Sequence, residues 1–184
     1  MNKLVAIVGM AGSGKSVITE YLESEGWNKV YFGGAIMAKL EEENIPLTPE
    51  NEKKMREDVR KQYGMAAVAV LLEDKIRKAV EEKDTVLDGL YSWDEYVYLK
   101  KSFPELILVC VCCDKKKRYE RIAVRPFRPF NSEEIVTRDV SEIENLAKGG
   151  PISFADYFIS NNGTLKDYEI RLKEILNDIE KERI

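Results

Sequence analysis

Residues 9–16 read Gly-Met-Ala-Gly-Ser-Gly-Lys-Ser, with an apolar run at 4–8 before them and an amphipathic stretch at 17–22 after. Glycine at the first and sixth places followed by Lys-Ser is the spacing of a phosphate-binding P-loop. Gly9 and Gly14 allow a tight turn and Gly12 adds room, so successive backbone N–H groups point inward at phosphate oxygens while the following helix presents its positive end. Lys15 then reaches the outer phosphates, and the Ser16 hydroxyl is placed for a magnesium ion shared with them. Gly9, Gly12, Ser13, Gly14, Lys15, Ser16 and Val17 are the candidate phosphate and nucleotide contacts.

Further residues carry charge where a phosphate would meet it. Asp88 closes the stretch Thr-Val-Leu-Asp and precedes a glycine. That suits a carboxylate that holds magnesium through water or places an acceptor, and it equally suits an ordinary turn aspartate. Residues 125–130 repeat an Arg-Pro-Phe unit, whose prolines stop a preceding helix and fix Arg125 and Arg128 on a stiff loop. Closed over the P-loop, the two arginines stabilise a phosphoryl group in flight, and Arg121 one turn earlier joins them; structural ion pairing is their other use. Arg56 and Arg60, four residues apart and near Lys39 and Lys53, either hold the phosphate of a second substrate or pair with Glu52 and Glu57. Gly33-Gly34 permits close approach to that ligand, or is a simple tight turn.

Composition narrows the chemistry. The chain of 184 residues contains no histidine, which removes Ser-His and Cys-His nucleophile pairs. Cys110, Cys112 and Cys113 lie in one apolar run and read as small, inert core residues without a fourth zinc ligand. With 44% hydrophobic and 34% charged residues and no long apolar run, the chain reads as a single soluble domain, with no membrane partner and a cytoplasmic location; the short segment before the first strand leaves no room for a cleaved signal. A net charge of -4 argues against a nucleic-acid partner. Seven basic against two acidic residues between positions 114 and 130 nevertheless make one strongly basic segment that wants an anion.

The elements that position these residues follow from periodicity. Strands are expected at 3–8, 28–32, 85–89, 106–113 and 157–159, each at or before a candidate residue. Helices are expected from 15 to about 25, over 35–43, after the Thr48-Pro49 start with Met55, Val59 and Tyr63 on one face, over 65–72, and from Ser92 to about 101. Two more run from Ser132 to before Gly149-Gly150-Pro151 and from Thr164 onward, the last with Leu165, Tyr168, Leu172, Ile175, Leu176 and Ile179 as a core stripe. Five strands alternating with helices make an α/β domain with a mainly parallel sheet, whose ligands gather at the strands' C-terminal edge.

With these residues assembled, the chain resembles the nucleoside monophosphate kinase-like group of P-loop proteins, which includes adenylate kinases and dephospho-CoA kinases. Val86-Leu87-Asp88-Gly89 is similar to the adenylate kinase strand ending in Asp-Gly, and 156–165 is similar to the last strand and turn of dephospho-CoA kinases. The resemblance implies a three-layer P-loop kinase fold with helices on both faces of the sheet and a small lid. It implies an acceptor-binding helical region at 33–82, a lid region at 114–150 with Arg125 and Arg128 as lid arginines, and adenine contacts from Asn162 and Gly163. ATP and Mg2+ are the implied cofactors. The arginine that follows Asp-Gly-Phe-Pro in adenylate kinases is absent from Asp88-Gly89-Leu90-Tyr91-Ser92, and the aspartates of dephospho-CoA kinases are replaced by Gly33-Gly34-Ala35-Ile36. A hydroxyl acceptor needs a base whereas a phosphate acceptor does not, so the expected reaction is transfer of the ATP γ-phosphoryl group to a nucleoside monophosphate or similar nucleotide. In that reaction Lys15, Asp88, Arg125 and Arg128 are the catalytic residues, Ser16 and Asp88 the metal ligands, Arg121 a nucleotide contact, and Gly33, Gly34, Lys39, Arg56 and Arg60 the acceptor site. A dephospho-CoA kinase with a 3′-hydroxyl acceptor is the alternative, and an ATP-binding switch or regulatory ATPase is the second; oligomeric state stays open.

Overall fold

The computed structural model describes residues 2–125 and 130–181, so Arg128 and its role lie outside the described residues. Five strands, β1 (Leu4–Val8), β2 (Asn28–Tyr31), β3 (Thr85–Asp88), β4 (Ile107–Cys112) and β5 (Tyr157–Ser160), form one sheet in the order β2-β3-β1-β4-β5. Every pairing is parallel, with Ile7 opposite Asp88 on one side of β1 and opposite Val109 on the other. β1 is thus central, and the loop leaving its C-terminal end opens between two neighbours.

Alternation along β1 builds the layers. Leu4, Ala6 and Val8 pack on one face with Leu87 and Leu108, covered by α2 (Gly33–Glu42), α3 (Pro49–Tyr63), α4 (Ala67–Glu82) and α5 (Trp93–Ser102). Val5 and Ile7 pack on the other face against Ile18 and Leu22 of α1 (Lys15–Ser24) and the Tyr168, Leu172, Ile175 and Ile179 stripe of α9 (Leu165–Lys181). Strands buried on both faces are what parallel crossovers require. Thr48 caps α3 by accepting from the Asn51 amide at 3.2 Å, and Ser92 with Glu95 forms a capping box on α5.

Several expectations are corrected. Gly33-Gly34 is not a tight turn but the first turn of α2, and a side chain at Gly33 would run into the Tyr31 ring. Gly149-Gly150-Pro151 does not only end a helix: α7 (Ser132–Glu144) stops earlier, and Gly149–Ser153 forms the short α8, with proline in its first turn where no amide is needed. Tyr63 and Leu165 are exposed because each lies at a helix end, beyond the packed face. Cys110 is buried, but Cys112, the last residue of β4, is exposed.

The basic segment folds as α6 (Lys115–Val124), which pairs with α7 to make a small layer over the P-loop. Arg118 joins them. Its Nη2 lies 2.6 Å from Asp139 Oδ2, both side chains nearly buried, and the Tyr119 hydroxyl donates to the same carboxylate at 3.2 Å. Breaking a buried pair by removing one partner leaves an uncompensated charge. Asp139→Ala should therefore lower the unfolding free energy by about 3 kcal/mol in urea titrations, and Arg118→Met with Asp139→Leu should recover most of it; a loss below about 1 kcal/mol would show the pair to be dispensable.

Candidate functional site

The P-loop lies between β1 and α1 and is held from outside by its carbonyls. Gly14 caps α1 at φ 97°, and a side chain there would collide with Asn161 Nδ2. Asn161, in the turn after β5, donates through that nitrogen to the Ser13 carbonyl at 2.8 Å. The Tyr168 hydroxyl of α9 donates to the Gly14 carbonyl at 3.1 Å, and Arg118 Nη1 donates to the Ala11 carbonyl at 2.8 Å. Ser13 Oγ is buried without a partner among the described residues. A glycine-rich loop whose carbonyls are occupied and which keeps an orphaned hydroxyl at a helix start fits a polyphosphate.

Lys15 bends back to donate to the Gly9 and Met10 carbonyls at 2.8 and 3.2 Å, with no carboxylate within salt-bridge reach among the described residues. Burial and the positive charge of Lys148 push its pKa down to about 7, against the weaker pull of Glu142 and Asp88. Asp88 ends β3 beside it. Burial raises the pKa of this carboxyl above the ordinary aspartate range, although Lys29 and Lys15 oppose the shift. Thr19 Oγ1 donates to Asp88 Oδ2 at 3.4 Å, which leaves lone pairs facing the loop, and Ser16 is exposed at the start of α1. A carboxylate and a hydroxyl at adjoining strand and helix ends are a donor set that suits Mg2+.

The residues expected on the nucleotide side and those expected on the acceptor side lie apart. Arg121 Nη2 donates to the Asn161 carbonyl at 3.0 Å and its Nη1 lies 3.3 Å from Cys113 Sγ, which keeps it beside the loop and away from Arg125. Asn162 is tied to Asp114, and its carbonyl accepts from Lys117. Gly163 sits against Asp167 at the start of α9. On the other side a cavity of about 520 Å3 is lined by Arg56, Arg60, Arg125 and Arg138 together with Tyr31, Tyr91 and Phe130. Gly33 lines it too. Lys39 does not: it pairs with Glu42 at 2.7 Å on the outer face of α2.

The cavity's carboxylates are already engaged. Glu95 Oε2 accepts the Tyr91 and Ser92 amides at 2.9 and 3.0 Å. Glu142 is shared by Arg138 and Lys148, and Glu52 lies 4.0 Å from Arg56. The cations are less fully matched, since Arg60 Nε is buried without a partner among the described residues. Sequence reasoning missed Tyr31, Tyr91, Arg138, Glu142 and Lys148. In sequence Arg138 and Glu142 read as an ordinary i, i+4 surface pair, and nothing about Lys148 before Gly-Gly marks it as buried.

The state of Lys15 has a measurable consequence. Between about pH 7, its folded pKa, and the ordinary lysine value of 10.5, the unfolded chain holds more protons than the folded one, so stability rises with pH. Urea midpoints should increase from pH 7 to pH 9 more in the native chain than in Lys15→Met. A bound polyphosphate restores the ammonium, so titration with inorganic tripolyphosphate near pH 8 should take up protons, read from its heat in buffers of different ionisation enthalpy; equal slopes in the two proteins would refute the assignment.

Comparison with known proteins agrees with this geometry. A family described as an AAA domain matches residues 5–140, which include the P-loop, β3 and α6. Among solved structures, a shikimate kinase from Bacteroides thetaiotaomicron superposes with TM-score 0.60 at 13% identity, covering 95% of this chain and 98% of its own. A gluconokinase from Sinorhizobium meliloti gives TM-score 0.57 at 18% identity over 97% and 92% of the two chains. These two share the fold, a P-loop kinase-like domain. A UPF0200 protein of Thermococcus kodakarensis is 33% identical over 181 residues, covering 96% of this chain and 97% of that protein. Since that likeness runs the length of both chains, through the P-loop and the elements that clamp it, this chain belongs to the UPF0200 family of P-loop kinase-like proteins.

Proposed function

We propose that the chain is an ATP-dependent phosphotransferase whose acceptor already bears a phosphate, most specifically a nucleoside monophosphate. The observation that carries this reading is the cavity beside the P-loop, where arginines converge and every lining carboxylate is committed to a backbone amide or a cation. A hydroxyl acceptor needs a base to take its proton, whereas a phosphate acceptor needs positioning and charge neutralisation. Tyr31, Tyr91 and Phe130 add aromatic faces of the kind a nucleobase stacks on. The likeness to a shikimate kinase and a gluconokinase supports a kinase reaction on a small molecule.

In this reading the loop amides and Lys15 hold the donor's terminal phosphates, and Asn161 with Arg121 borders the rest of the nucleotide on the opposite side of the loop. Ser16 and Asp88 would hold Mg2+, which supplies charge neutralisation at the phosphate oxygens. Arg125 follows α6 within the lid region, 4.9 Å from the Phe130 ring, and stabilises the transferred group, a role that the reading also gives to Arg128, outside the described residues. Residues 114–150 serve as the lid. Residues 33–82 form the acceptor side, where Arg56 and Arg60 hold the acceptor's phosphate.

One observation favours a hydroxyl acceptor, such as dephospho-CoA, as a second reading. Asp88 is half-buried with a raised pKa, the state of a competent general base. Phosphoryl transfer from Mg-ATP across nucleoside monophosphates, deoxynucleotides, dephospho-CoA and small polyols separates the two. A monophosphate turned over at about 1–100 per second supports the first reading. Lys15→Ala should abolish transfer with the fold intact, and Arg60→Met should raise the acceptor KM about tenfold. Preferential turnover of a hydroxyl acceptor would move the assignment to the second reading, and slow ATP hydrolysis without transfer would leave an ATP-driven switch.

A further inference from the structure

We propose that Glu142 is a positioning residue that aims the Arg138 guanidinium at the acceptor's phosphate, and that the buried Lys148 frees Arg138 for this task. The inference rests on the cavity being the acceptor site, as argued above. Glu142 Oε1 accepts from Arg138 Nε at 3.0 Å and its Oε2 accepts from Lys148 Nζ at 2.6 Å. The three side chains differ in exposure, at 36% for Arg138, 8% for Glu142 and 1% for Lys148. Lys148 is thus enclosed and cannot reach a ligand, and Arg138 alone of the three extends its charge into the cavity.

The geometry of Arg138 separates anchoring from recognition. Its Nε is used by Glu142 from the next turn of α7, and its guanidinium carbon lies 5.4 Å from the Phe130 ring. The terminal Nη1 and Nη2 have no hydrogen-bond partner among the described residues. An arginine held at Nε and against a ring keeps its fork for a bidentate phosphate contact and loses little freedom on binding.

Lys148 explains why Glu142 does not simply neutralise Arg138. One carboxylate facing two cations leaves an excess positive charge in a buried setting, and Lys148, 4.5 Å from the Tyr91 ring, is the cation best placed to saturate it. Although burial would raise the Glu142 pKa, Lys148 and Arg138 together hold it below the ordinary range, so the carboxylate stays charged and the anchor persists at neutral pH. On the loop side Lys15 feels Lys148 and Arg138 as like charges and Glu142 and Asp88 as opposite ones, so an acceptor phosphate that offsets the cations also favours the charged form of Lys15.

The test is a double-mutant cycle on acceptor KM. Glu142→Gln should raise the KM of the preferred acceptor about tenfold with the KM for ATP unchanged. Lys148→Met should raise it too, because Arg138 then turns to Glu142, its counter-ion among the described residues. Adding Glu142→Gln to Arg138→Gln should change KM less than twofold, since one residue acts through the other. Glu142→Gln with Lys148→Met removes the buried pair without leaving a lone charge, and should show the same KM rise with near-native thermal stability. An unchanged or lowered acceptor KM in Glu142→Gln, or effects of Glu142 and Arg138 that multiply, would overturn the proposal. Calorimetric titration of inorganic phosphate into Lys15→Ala protein, where the P-loop no longer competes, gives an independent readout. If no acceptor is turned over yet Glu142→Gln still weakens phosphate binding about tenfold, the kinase reading falls and the positioning role stands; if phosphate binding is unchanged, the positioning role falls.

Discussion

An amine enclosed among backbone carbonyls and further cations sets the terms for the rest of this structure. Lys15 is offered two carbonyls of its own loop and faces Lys148 across the site, so its charge is disfavoured until an anion arrives. Such a site is stable only if the loop cannot relax to bury the amine better or expel it. The clamps on Ala11, Ser13 and Gly14 supply that rigidity, and they come from α6, the turn after β5, and α9. The two packed faces of the sheet exist in this sense to hold one short turn at one height.

Positive charge around the turn is divided by function. Arg118 is consumed in holding α6 to α7 and the loop, and Arg121 in bordering the Asn161 turn, while Arg125 faces the cavity. Arg118 and Arg121, three apart, are same-face neighbours one turn apart along α6 and so meet different partners, whereas Arg125 follows the helix in extended conformation and leaves that face. The same separation operates on α7. There Asp139 and Glu142 look inward, while Val136, Val140 and Ile143 are exposed.

Much of this was legible in the chain because it is written locally. The P-loop spacing, the Thr48-Pro49 start, the Ser92 cap and the strand ending at Asp88 each depend on a few adjacent residues, and all appear where the sequence puts them. The tight-turn reading of Gly33-Gly34 misled because the demand for glycine at Gly33 comes from the Tyr31 ring, a side-chain placement that no local rule conveys. Gly149-Gly150-Pro151 misled because proline ends a helix from inside but is harmless in a first turn. Arg138, Glu142 and Lys148 were invisible for a different reason: their meaning depends on which face of α7 meets the cavity, a tertiary fact that an i, i+4 pattern does not contain.

The clamps also fix when the loop becomes a loop. The groups that hold its carbonyls belong to residues 118, 161 and 168, more than a hundred positions after it in the chain. On a chain emerging from its N-terminus, β1 and α1 can pair their own backbone early, yet the turn between them stays unsupported until α9 docks on the sheet. Contacts of such long sequence separation form late because loop closure must be met before they repay it. A growing chain therefore carries an unsupported phosphate loop from the time β1 and α1 emerge until α9 follows, more than a hundred residues later.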